Sequence, residues 1–79
     1  MYKVLLSRNA EKYLARLDKP VRGRIIEAIQ NLPAGEVKKL QGIEAYRLRV
    51  GDYRVIFEKD VRILTIHVIK IVPRGQIYK

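Results

Sequence analysis

The chain has no cysteine among its 79 residues. Neither a disulfide framework nor a thiolate zinc site is therefore available to staple so small a domain. Histidine is scarce as well: His67 stands alone, and eight Asp and Glu are scattered along the chain. That supply argues against a histidine- or carboxylate-based metal site, and no cofactor is expected. No apolar run approaches the roughly 18 residues that a spanning helix needs, so no membrane crossing is expected. The first residues lack an uninterrupted apolar h-region, so no secretory leader is expected either. A reducing cytoplasm is the natural setting, although a lack of cysteine permits other compartments. Repeats, linkers and low-complexity segments are also missing, and residues 1–79 read as one domain.

Positive charge is what the chain has in excess. Seventeen Lys and Arg stand against eight acids, a formal charge of +9. Charge of that density repels itself and calls for nucleic acid, an anionic surface or an acidic protein as partner. Yet 48% of the residues are hydrophobic, enough for the chain to fold rather than remain a basic tail. At this length only about 60% of the unfolded surface can be buried, so modest stability is expected.

The hydrophobic pattern changes period along the chain. Tyr2 to Leu6 reads as a short strand, and Ser7 is placed to cap a helix. Ala10, Tyr13, Leu14 and Leu17 then recur at helical spacing. "DKP" interrupts, and Pro20 suits the first turn of a second helix. Val21, Ile25, Ala28, Ile29 and Leu32 continue the period until Pro33 and Gly35 stop it. Residues 34–44 read as a loop. Beyond them the period is two, with Tyr46, Leu48 and Val50 followed by Tyr53, Val55 and Phe57. Gly51-Asp52 suits a type II′ turn between these strands. "EKD" reads as the next turn, and Val61 to Val72 as a long interior strand. The expected fold is α+β in the order β-α-α-β-β-β, a helical hairpin covering one face of a small, mainly antiparallel sheet.

That register sorts the charges. With Gly51 and Asp52 in the turn, Val50 opposes Tyr53 and Arg49 opposes Arg54. Arg47, Arg49 and Arg54 then share the uncovered face. A turn at Lys59 and Asp60 would set Arg54 against Thr65, with His67 on the same face. Like charges directly opposite cost up to about 1 kcal/mol, so the pairing is useful if an anion sits between them. The tail, "PRGQIYK", adds Arg74 and, four residues on, Tyr78.

At these residues the chain resembles the RelE/ParE superfamily of toxins from toxin–antitoxin operons. The block "LQGIEAYRLRVGDYRVIF" is similar to that family's strand hairpin, and "VIKIVPRGQIYK" to its closing strand and tail. The resemblance implies the RelE branch: a metal-independent endoribonuclease that enters the ribosomal A site and cuts messenger RNA. It implies catalytic roles for Arg49, Arg54, Arg74 and Tyr78, and phosphate contacts from Arg47, Arg49, Lys38 and Lys39. It also implies an acidic antitoxin as inhibitor, ribosome and mRNA as targets, and operator DNA bound only through the antitoxin. Against this pattern no histidine stands beside Tyr78, Pro73 fixes the backbone where many members are freer, and the C-terminal helix of some members is not expected.

The residue types suit that chemistry. Arginine grips phosphate bidentately and keeps its charge. A tyrosine is a poor base at a pKa of about 10; neighbouring cations favour its phenolate. Stacking on a base is the other role open to Tyr78. Plainer readings stand beside these. Arg47 and Arg49 are also what a solvated edge strand would carry, and Arg74 and Tyr78 what a frayed terminus would. His67 and Glu44 read as structural and loop residues, and Tyr46 and Tyr53 as packing residues. Two rival functions remain open: a ParE-like gyrase inhibitor without nuclease activity, and an inactive fold that only binds antitoxin or RNA.

Overall fold

The computed structural model describes residues 2–73. Five strands and two helices follow in the order β1 (Lys3–Leu6), α1 (Arg8–Ala15), α2 (Lys19–Gln30), β2 (Glu36–Lys39), β3 (Tyr46–Val50), β4 (Tyr53–Asp60) and β5 (Thr65–Pro73). They form one sheet, β1-β5-β4-β3-β2. All pairings are antiparallel except β1 with β5, which is parallel. The expected α+β layering is present: the helices lie over one face and leave the other uncovered.

Helical periodicity becomes a shared core. Ala10 and Leu14 of α1, and Ile25 and Ile29 of α2, are buried with Leu32 against Leu48, Val50, Val55, Phe57, Ile66, Val68 and Ile71. Among the described residues no polar or charged side chain is buried. The sheet residues of that cluster alternate along β3 and β4, so both strands turn apolar residues to the helices and leave Arg47, Arg49, Arg54 and Ile56 on the other face. Pro20 lies within the first turn of α2, where a missing N–H costs nothing.

Two local devices tie the layers. Ser7 caps α1 by accepting a hydrogen bond from the Ala10 amide at 3.0 Å. Its hydroxyl also donates to the Ile69 carbonyl, and its own amide donates to the Val68 carbonyl at 2.9 Å. Ile69 is the extra residue of a β-bulge: Phe57 pairs with Val68, whereas Ile56 pairs with Lys70. At the other side, Gly35 adopts φ +114, and a Cβ there would lie 2.9 Å from Leu48 Cδ1. Leu48 is 2% exposed and has little room to yield. Glycine at this position therefore answers both a backbone and a packing requirement.

Two expectations need correction. Residues 34–44 are not all loop, because Glu36–Lys39 forms edge strand β2. Its only apolar residue, Val37, is half-buried, so no hydrophobic alternation advertises it; charge on an edge strand is what guards it. The turn expected at "EKD" also lies further on. β4 continues to Asp60, and the turn occupies residues 61–64. There the Asp60 carboxylate accepts the Arg62 amide at 3.0 Å, an Asx-type turn, and Leu64 adopts φ 49. Val61, Ile63 and Leu64 are thus exposed turn residues, not strand. Consequently Arg54 faces Val72, and Thr65 faces Asp60.

Replacing Ser7 by Ala removes the cap and the bulge anchor together. We expect it to lower unfolding free energy by about 1–2 kcal/mol, read from urea denaturation. Gly35→Ala should cost about 1–3 kcal/mol in the same assay; an unchanged midpoint would show that Leu48 accommodates the methyl group.

Candidate functional site

The β3–β4 turn sets the site. Gly51 has φ +56, the left-handed backbone that the first position of a type II′ turn requires. With it, Val50 pairs with Tyr53, Arg49 with Arg54, Leu48 with Val55 and Arg47 with Ile56. On the flanks, β2 sets Glu36 against Arg49 and Lys38 against Arg47. β5 sets Val72 against Arg54 and Lys70 against Ile56. Residues directly paired share a face. Two parallel rows therefore cross the uncovered face: Glu36, Arg49, Arg54 and Val72 in one, Lys38, Arg47, Ile56 and Lys70 in the other.

β3 is not an edge strand, because β2 pairs along its outer side. The solvated-edge explanation for Arg47 and Arg49 thus does not apply. Arg47 and Arg54 are half-buried and Arg49 is exposed. Arg54 donates to its neighbour's carbonyl, Tyr53 O, at 3.3 Å. Arg49 lies 4.0 Å from Glu36, a solvent-exposed contact worth less than about 1 kcal/mol that leaves most of the guanidinium available. These cations stand on adjacent strands of one face, and among the described residues no buried acid lies against them.

Lys39 does not join them. It pairs with Tyr46, on the helix side of β2, and lies 3.7 Å from Glu44. Glu44 is an exposed loop residue, as expected. Tyr46 stacks on Phe57 at 5.5 Å, with the Lys59 ammonium 4.9 Å from its ring centre. Tyr53 meets Tyr13 edge-on at 6.4 Å. Burial, with Tyr53 beside it, raises the Tyr13 phenol above its usual value of 10.0, so that group stays protonated. All three rings are engaged in aromatic contacts, as the packing reading expects. His67 is exposed on the open face, paired with Glu58 and Leu5. Arg74 and Tyr78, expected to complete the site, lie outside the described residues. Among the described residues, no three His, Cys, Asp or Glu gather in one place.

Lys70 is the cation that sequence reading missed. In "HVIKIV" strict alternation assigns it to the same face as Ile66 and Val68. The bulge at Ile69 shifts the parity and brings it to the open face.

The family comparisons agree with this architecture. The family model for the ParE toxin of type II toxin–antitoxin systems matches residues 4–78. No curated protein matches significantly. Among solved structures, the archaeal RelE of the RelE–RelB complex from Pyrococcus horikoshii is 31% identical. Its TM-score is 0.81, over 96% of this chain and 98% of that one. A chain of the RelB–RelE complex from Methanococcus jannaschii is 27% identical, with a TM-score of 0.70 over 87% and 88%. Isolated RelE toxin of E. coli shares the fold at 18% identity, with a TM-score of 0.72 over 98% and 88%. The chain belongs to the RelE/ParE superfamily, and it is a toxin of a type II toxin–antitoxin system.

The like-charged pair leaves a measurable trace in stability. Arg54→Thr removes one partner of the Arg49–Arg54 pair and places a β-branched residue mid-strand. We expect a gain of up to about 1 kcal/mol at low ionic strength, shrinking as salt is added. A salt-independent loss of stability would mean that the two guanidinium groups do not repel.

Proposed function

We propose that this toxin is a metal-independent endoribonuclease that cleaves messenger RNA in the ribosomal A site and so arrests translation. The observation that carries the proposal is the opposition of Arg49 and Arg54 on the uncovered face, flanked by Arg47 and Lys38. In this reaction the ribose 2′-oxygen attacks the adjacent phosphorus and loses its proton. The bond to the 5′-oxygen breaks, and that oxygen leaves with a proton. A 2′,3′-cyclic phosphate remains. Negative charge concentrates on the non-bridging oxygens as the bonds change. Arg54 and Arg49 provide paired donors for that charge, preorganised by the sheet. Arg47 and Lys38 hold the strand. Arg74 supplies a further cation, and Tyr78 either moves the proton or stacks on a base. The ribosome and its bound message provide alignment, which sparse sites of this kind need most.

The +9 charge suits an acidic partner. An acidic antitoxin is the inhibitor, as the RelE–RelB complex of the archaeal relative suggests. Operator DNA is reached only through that complex. The site of action is the cytoplasm, and no helix among the described residues is long and apolar enough to cross a membrane.

The family model's ParE designation favours a second reading, inhibition of DNA gyrase without RNA cleavage. Expression in growing cells separates the two. The nuclease produces transcripts shortened within translated frames, mapped by primer extension. A gyrase poison produces gyrase–DNA cleavage complexes and an SOS response instead. Arg54→Ala should abolish growth arrest while circular dichroism remains that of the folded protein. Undiminished toxicity of that variant would remove Arg54 from the reaction.

A further inference from the structure

We infer that Lys70 and Arg47, standing on either side of Ile56, form a second phosphate subsite that holds the linkage next to the one being cut. The inference rests on the RNA-cleaving reading of the open face, and it adds a residue and a ligand position to it.

Three observations meet here. First, Lys70 lies on interior strand β5 and pairs with Ile56, while Arg47 pairs with Ile56 from the opposite side. The two cations are thus about two strand spacings apart, roughly 10 Å between backbones, which their long side chains can close. Second, Ile56 is fully buried although it lies on the face away from the helices. It gives the subsite an apolar floor. Lys70 and Arg47 are both half-buried beside it, as long basic side chains are when their stems lie along apolar surface. Third, this row sits two residues along the strands from the Arg49–Arg54 row. That displacement is about 7 Å, comparable to the step between successive phosphates of one nucleic-acid strand.

The bulge gives the arrangement its physical logic. Were Ile69 paired with Ile56 instead of being extra, alternation would set Lys70 against Val55 in the core, where an ammonium is costly. With the bulge, Ile66, Val68 and Ile71 share the buried face, and Lys70 and Val72 come to the open one. Bulges often re-aim a side chain beside a functional site. Here the bulge carbonyl is held by Ser7 from the start of α1. The lysine's position is therefore built into the junction of three elements. Two successive phosphates, each in its own row, would fix both the position and the direction of the strand. A single anion site fixes only position.

The test uses the purified full chain and a short single-stranded oligodeoxynucleotide, which lacks the 2′-hydroxyl and cannot be cut. Binding is followed by fluorescence anisotropy across a salt series. Lys70→Met should weaken binding about 3- to 10-fold. It should reduce the slope of log affinity against log salt by about 0.7, the loss of one phosphate contact on a single strand. Lys70→Arg should restore both. Lys12→Met, which removes an exposed charge on α1, should leave both nearly as in the unsubstituted protein. Equal effects of the Lys70 and Lys12 substitutions would reduce the subsite to bulk electrostatics and overturn it. So would an unchanged slope in Lys70→Met whose circular dichroism is native. Transcript mapping after expression reads the nuclease independently. Cut transcripts together with a silent Lys70 leave the nuclease and remove the subsite. Uncut transcripts with the expected slope change leave a two-phosphate site and remove the nuclease.

Discussion

The register of the β3–β4 hairpin is the constraint on which the rest of this toxin depends. A shift of one residue would exchange the faces of both strands. Leu48, Val50, Val55 and Phe57 would then meet water, and Arg47, Arg49 and Arg54 would be pressed beneath the helices. Both consequences are unfavourable, the second severely, because an unpaired buried guanidinium has nothing to offset its lost hydration. Gly51 makes the tight turn possible, and the alternating pattern admits only one way of laying it on the helices. Core formation and the gathering of cations are thus the same event viewed from two sides of one sheet.

The cost of that arrangement is local repulsion. Arg49 faces Arg54, and the only acid in their row is the exposed Glu36. A domain of this size has a small stability margin. Its core compensates by excluding polar groups among the described residues and by burying aliphatic side chains from both helices and the three strands β3, β4 and β5. Electrostatic strain on one face and apolar packing on the other are a familiar division where a surface must receive an anion. A fold of this kind does not by itself fix a function; under the proposed reading that falls to the side chains of the cation rows.

Much of this was legible in the residues because the informative signals are short-range. Ser7, Pro20, Gly35 and the Gly51-Asp52 pair mark where elements begin and turn, each through a local backbone preference. The helical and strand periods in Ala10–Leu17, Val21–Leu32 and Tyr46–Phe57 report which side is buried. Strand β2 was not legible, since its pairing with β3 comes from backbone hydrogen bonds that leave no mark on "EVKK". The β4–β5 turn was misplaced because Val61, Ile63 and Leu64 are apolar for reasons other than burial. The structure shows them exposed.

Local chemistry thus determined the two helices, the hairpin turn and the opposition of Arg49 to Arg54, since each follows from neighbours a few residues apart. Tertiary structure alone decided that β3 is interior, that Lys38 joins the open face while Lys39 leaves it, and that Lys70 turns outward. Those outcomes depend on pairing between strands distant in the chain and on one extra residue in β5. A side chain's face is set by parity, and parity is counted through hydrogen bonds that only the folded sheet possesses.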